Sequence, residues 1–252
     1  MTVKISDINV NYFAEGSPDS ETALVMLHGW GSNIELFKNC AAPISAKYFV
    51  TAPDMPGFGG TPEPPAAWNV DDYTDFVIEY IKALGLKRVI LLGHSFGGRV
   101  IIKLVNRKDL PFTVEKLILV DSAGIRPEKT EQQLKKEKVM KLGKKLLSAS
   151  PRLIEKMQSM VGSADYKAAS PLMREVLINV VNEDLSHLLP HITQETLLVW
   201  GTADTATPVS DAEKMEQLIP NAGLARIEGA GHYSFLENPV LFNAIIKSYL
   251  KL

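Results

Sequence analysis

Cysteine is nearly absent: Cys40 is the single one in 252 residues. One thiol excludes an intramolecular disulfide and the clustered thiolates of a structural zinc site. It reads as a small half-buried side chain after the segment Ile34 to Phe37. Long apolar runs are also missing, with no stretch approaching the roughly 18 residues that a membrane-spanning helix needs. Met1 to Asp7 has no basic region followed by an apolar core, so a soluble cytoplasmic protein without a membrane partner is expected. Charge of one sign is lacking too: a net charge of -2 supplies no global drive toward nucleic acid, and none is expected as a partner. There is no internal repeat or low-complexity tract, and no ligand cluster that calls for a metal or cofactor.

What is present suits one large α/β domain, since 46% hydrophobic content over this length can fill a full core. Val3 to Ile5 and Val10 to Phe13 read as a short hairpin. Ala23 to Leu27 and Tyr48 to Ala52 are continuous apolar runs of the kind that strands buried on both faces show. Asp71 is positioned to cap a helix from Asp72 to Leu84, whose Phe76, Val77, Tyr80, Ile81 and Leu84 form one stripe, and Gly85 stops it. Strands at Arg88 to Leu92, Lys116 to Val120, Thr196 to Trp200 and Ala225 to Glu228 alternate with a helix that carries the stripe Val100, Ile101, Leu104 and Val105 and with helices from Val209 to Ile219 and from Asn238 to Leu250. Alternation of this kind predicts a mostly parallel sheet covered on both faces, with ligands outside the carboxyl ends of its strands.

Between Arg126 and Ile192 the pattern changes to Lys, Glu, Leu and Met at helical spacing, and Pro151 and Pro171 can each begin a helix. Residues 126–192 are therefore expected to form a lid of three or four helices, inserted between core segments 1–125 and 193–252.

Gly93-His94-Ser95-Phe96-Gly97 stands directly after the apolar run Val89 to Leu92 and before the periodic stretch Val100, Ile101, Leu104, Val105. Strand, tight turn and helix make this a nucleophile elbow, with the Ser95 hydroxyl raised above the sheet. A serine hydroxyl is a poor nucleophile at neutral pH and needs a base, which in turn needs an orienting acid. His232, in Gly229-Ala230-Gly231-His232, is the base expected from its Gly-rich loop after a strand; His28 and His94 read as scaffold, and His187 and His191 as satisfied or solvated. Asp204, just past the Thr196 to Trp200 strand, is the preferred acid, with Asp121 as competitor or loop tie. The oxyanion donors expected are the amides of Phe96 and of Trp30 in His28-Gly29-Trp30-Gly31.

With these motifs, Asp54-Met55-Pro56-Gly57-Phe58-Gly59-Gly60-Thr61 and Gly201-Thr202-Ala203-Asp204 in the order serine, acid, histidine, the chain resembles the α/β-hydrolase superfamily. That resemblance implies an eight-stranded, mostly parallel sheet, a Ser95, Asp204 and His232 triad, and no metal or cofactor. The His-Gly-Trp form and short lid are most similar to small bacterial carboxylesterases, including the pimeloyl-carrier-protein methyl ester esterases. It implies hydrolysis of a small-molecule carboxylic ester or thioester. The same motifs also serve carbon-carbon bond hydrolases, lactonases, perhydrolases and hydrolase-like small-molecule sensors. Substrate-lining candidates are Trp30, Phe96, Met140, Met157, Met160, Leu172 and Tyr233, although a Met and Leu stripe also suits a packing seam. Arg126 and the lysines 129, 135, 136, 138, 141, 144 and 145 outnumber the acids around them. They form a solvated helix face or a dock for an acidic carrier protein.

Overall fold

In the computed structural model, residues 1–126 and 164–252 are described. They form an eight-stranded sheet in the order β1-β2-β4-β3-β5-β6-β7-β8. The strands are β1 (Thr2–Ile5), β2 (Ile8–Glu15), β3 (Ala23–Leu27), β4 (Phe49–Pro53), β5 (Arg88–His94), β6 (Thr113–Val120), β7 (Glu195–Gly201) and β8 (Ala222–Ile227). The hairpin β1-β2 and the β2-β4 pair are antiparallel, and every other pairing is parallel. The helices are α1 (Lys38–Ala41), α2 (Val70–Ala83), α3 (Phe96–Leu104), α4 (Ala164–Ala168), α5 (Pro171–Val181), α6 (Val209–Leu218), α7 (Ser234–Glu237) and α8 (Pro239–Leu250).

Strand periodicity divides the core into two layers. Val25, Leu27, Leu91, Leu117, Leu119 and Leu198 face the side covered by Tyr73, Val77 and Tyr80 of α2 and Val100, Ile101 and Leu104 of α3. Their neighbours Leu24, Met26, Ile90, Leu92, Ile118 and Val120 face Phe37, Ile44, Phe235, Phe242 and Ile246. All five residues of β3 are buried, as its unbroken apolar run requires of a strand with helices on both sides. Cys40 is buried in the second layer, and burial pushes its thiol up to about 12.

The start of α2 differs from the expectation. Asn69, not Asp71, is the cap: its side chain accepts from the Asp71 and Asp72 amides, and the Asp72 carboxylate accepts in turn from the Asn69 amide. Asp71 is instead engaged by Lys103 and by Arg107, which ties α2 to α3. Pro171 does open a helix, capped by the Ser170 hydroxyl accepting from the Met173 amide. The lysines from 129 to 145, Pro151, Met140, Met157 and Met160 lie outside the described residues. Among the described residues no helix is long and apolar enough to cross a membrane.

Because the core strands run parallel, their carboxyl ends share one edge. That edge carries His28, Asp54, Ser95, Asp121, Asp204 and the loop to His232, each just past its strand. Asp54, fully buried, knits the rim there: its oxygens accept from the Ile34 and Gly60 amides and from the Asn11 side chain.

Candidate active site

Ser95 joins β5 to α3 with φ at 50° and ψ at -112°, a conformation that costs an L-residue on the order of 1–3 kcal/mol and persists only when its surroundings impose it. Here its N–H donates to the Val120 carbonyl at 3.1 Å, and its carbonyl accepts from Ala123 at 3.0 Å. A Cβ on Gly97 would stand 2.1 Å from the Leu27 carbonyl oxygen, so only glycine lets the helix approach β3 this closely. The turn leaves the Ser95 hydroxyl on the wall of a cavity of about 360 Å³.

His232 reaches the same cavity from the loop after β8. Its Nε2 accepts from the Ser95 hydroxyl at 2.9 Å, and its Nδ1–H donates to Asp204 Oδ2 at 2.8 Å. The carboxylate fixes the tautomer by leaving the lone pair on Nε2. Burial works against the Asp204 carboxylate, but hydrogen bonds from His232 and Thr207 outweigh it and hold its pKa below the ordinary value. The Ala206 and Thr207 amides bond its other oxygen, at 2.7 and 3.0 Å.

Asp121 stands apart from this chain. It accepts from the Gly201 amide at 2.8 Å and from the amide and hydroxyl of Ser234 at 3.0 and 2.6 Å. It thus ties the end of β7 to the helix that follows His232. Burial pushes its carboxyl up to about 6, with the Ser234 and Gly201 bonds opposing the shift.

His28 and His94 are fully buried scaffold. His28 accepts from the Met55 amide at Nε2 and donates from Nδ1 to the Gly29 carbonyl; burial lowers its pKa. His94 donates from Nε2 to the His232 carbonyl at 2.7 Å, which pins the loop carrying the imidazole, and burial pushes it down to about 3. His187 and His191 lie in the short 3-10 turn Ser186–His191 and line neither the cavity nor the Ser95 chain.

Trp30 and Phe96 both line the cavity. Phe96 begins α3, so its amide is one that helix geometry leaves without an intrahelical acceptor. The Trp30 amide likewise has no protein acceptor among the described residues. A Cβ on Gly29 would lie 3.2 Å from Ser95 Cβ, showing how tightly this loop passes the serine. Edge-to-face contacts of Trp30 with Phe58 and Phe96, and of Phe96 with Tyr73, hold both aromatic side chains in place.

Tyr233 also lines the cavity, but Leu172 does not. Leu172 lies about 140° round α5 from Leu177, and it is Leu177, Val180 and Val181 that form the wall. Met173, one residue on, packs against Gly57 and borders a neighbouring cavity of about 330 Å³ with Trp30 and Phe58. Sequence reasoning missed three further residues: Thr207, whose hydroxyl lies 2.8 Å from Asp204 Oδ2; Ser234, the partner of Asp121; and Arg99, on the cavity wall. Arg99 carried a usable signal, since a residue four after Ser95 on a helix shares its face.

Comparison with known proteins gives the family. Residues 24–245 match the Alpha/beta hydrolase family, and the chain belongs to that family. It is 24% identical over 269 residues to the uncharacterised hydrolase YugF of Bacillus subtilis, covering 98% of this chain and 96% of that one. It is 25% identical over 273 residues to a 2-hydroxy-6-oxononadienedioate/2-hydroxy-6-oxononatrienedioate hydrolase of a Pseudomonas species, covering 97% and 93%. The esterase EaEST from Exiguobacterium antarcticum superposes with a TM-score of 0.75 at 25% identity, covering 100% of this chain and 99% of that one.

Proposed function

We propose that the protein is a serine hydrolase that cleaves carboxylic esters of small to medium acyl groups through an acyl-enzyme on Ser95. The observation that carries this reading is the continuous chain from the Ser95 hydroxyl through His232 to Asp204, opening on a cavity. Attack by Ser95 Oγ on the ester carbonyl passes its proton to His232 Nε2, and Asp204 stabilises the imidazolium that forms. The amides of Phe96 and Trp30 receive the negative charge that develops on the carbonyl oxygen. His232 then returns the proton to the leaving alkoxide, and a water activated by the same imidazole releases the acid. No step needs a metal or cofactor. The resemblance to the Pseudomonas hydrolase keeps one second reading, hydrolysis of a carbon-carbon bond on the same three residues.

In the test, p-nitrophenyl hexanoate turnover is followed in the wild type and in Ser95→Ala, together with labelling by a fluorophosphonate. Turnover should fall by several orders of magnitude in the variant, as removal of a catalytic serine does elsewhere, and the label should sit on Ser95. Undiminished activity without Ser95, or a label elsewhere, refutes the reading. Ester turnover that is negligible beside cleavage of a vinylogous 1,5-diketone would favour the second reading.

A further inference from the structure

Among the described residues, Arg99 is a buried cation without an ion-pair partner. The residue is only 5% exposed, yet among the described residues its guanidinium has a single bond, from one terminal nitrogen to the Glu183 backbone carbonyl. The two nearest carboxylates are committed elsewhere. Glu183 pairs with Lys103 at 2.6 Å, and Asp184 accepts from the Arg126 amide and from Ser186. Asp165 and Asp211 also border the cavity, but neither comes within ion-pair distance of Arg99. Asp165 lies toward Gly31 and Tyr233, and Asp211 toward Lys214 and Asp204. Arginine stays charged in proteins, and a buried charge is strongly unfavourable unless it is paired. No Arg99 nitrogen is among the sealed, unpaired polar atoms of the described residues, and the side chain lines the cavity.

That cavity is the one that holds Ser95. Four residues along α3 place Arg99 on the same face, roughly 6 Å farther along the axis. The same cavity has an apolar lining that includes Ile125, Leu177 and Val180. From this arrangement, and resting on the serine hydrolase reading above, we infer that Arg99 is a specificity residue. It binds the carboxylate at the far end of the acyl chain, so the preferred substrates are half-esters of short dicarboxylic acids. The guanidinium fork meets a carboxylate with two parallel N–H bonds, the methylenes lie on the apolar wall, and the ester carbonyl falls at Ser95.

The test compares mono-p-nitrophenyl adipate with p-nitrophenyl hexanoate, which has the same chain length without the terminal charge. The wild type should favour the adipate ester in kcat/KM by roughly tenfold to a hundredfold, and the ratio should fall to within about threefold of one in Arg99→Met. The loss should appear mainly in KM. Binding is read separately, as thermal stabilisation of Ser95→Ala by adipate, which should vanish in the Ser95→Ala, Arg99→Met double variant. If Arg99→Met does not fold, the wild-type ratio and the adipate-induced shift still decide the matter. No preference in the wild type, or equal losses on both esters in Arg99→Met, overturns the inference. Hexanoate turnover without adipate binding overturns it while leaving the hydrolase reading intact. Arg99-dependent adipate binding in a protein that turns over neither ester supports the anion site and removes the hydrolase reading instead.

Discussion

Two aspartates, Asp121 and Asp204, stand just past adjacent strands at the same sheet edge, and they differ in what they accept. Asp204 takes the imidazole N–H of His232 and backbone amides, and its charged form is favoured. Asp121 takes Gly201 and Ser234, and burial disfavours its charge. Asparagine at these positions should therefore do different damage. Asp204→Asn should lower kcat by about 10⁴-fold, as for the buried triad aspartate of a serine protease, because the wrong imidazole tautomer is then stabilised. Asp121→Asn presents an amide N–H₂ to groups that are themselves donors. It should cost about 1–3 kcal/mol of stability, with the smaller effect on kcat in the folded fraction. Denaturant titration and steady-state kinetics on both variants check this; a larger kcat loss in Asp121→Asn would reassign the acid.

At the scale of elements, what the sequence reveals depends on how much of a segment's environment lies within the segment. β3 and the body of β5 are legible because burial on both faces leaves an unbroken apolar run. β6 begins three residues before the Lys116 expected. Thr113 to Glu115 have mixed polarity and are held as strand by the ladder to Arg88 and Val89 and by the ion pair of Arg88 with Glu115. β8 starts at Ala222-Gly223, residues of weak strand preference that pairing with β7 recruits. α5 places Leu177 and Val180 on the wall of the cavity that holds Ser95, a register that periodicity alone does not orient toward the cavity. Leu177→Trp should accordingly shorten the acyl pocket. The ratio of kcat/KM for p-nitrophenyl hexanoate to that for the acetate should drop about tenfold or more. An unchanged ratio would remove α5 from the substrate wall.

For the molecule as a whole, buried histidines link stability to acid. His94 is pushed down to about 3, against about 6.5 in an unfolded chain, so between these values the unfolded state binds a proton that the native state refuses. Stability from this group is complete above pH 6.5 and is lost as pH falls toward 3, reaching about 2 kcal/mol of loss at pH 5. His28, also lowered, acts in the same direction. Asp121 opposes them: its carboxyl, raised to about 6, makes the native state the better proton binder down to roughly pH 4, so its contribution grows as pH falls. The His94 part is isolated by comparing urea midpoints of the wild type and His94→Gln. At pH 7 the variant should be about 1 kcal/mol less stable through its weaker bond to the His232 carbonyl. By pH 5 that deficit should close and reverse. A deficit of equal size at both pH values would show that His94 titrates freely in the native state.

Local chemistry already wrote much of this into the sequence. The elbow around Ser95, the glycine-bounded loops, the buried strands and the alternation of strand and helix are set by steric and burial rules that act over a few residues. Tertiary structure decided what depends on residues far apart in the chain. The sequence favours Asp204 over Asp121 as the acid, but only folding brings His232, 28 residues beyond Asp204, to the one and Ser234 to the other. Asn69 caps α2 through its local capping box with Asp72, whereas the pairing of Asp71 with Lys103 and Arg107 joins residues more than 30 apart in the chain. Its spacing from Ser95 puts Arg99 on the serine's face of the helix, but the spacing does not show that its charge is buried. Only folding buries it on the wall of the cavity that holds Ser95, with the Glu183 carbonyl as its one hydrogen-bond partner among the described residues.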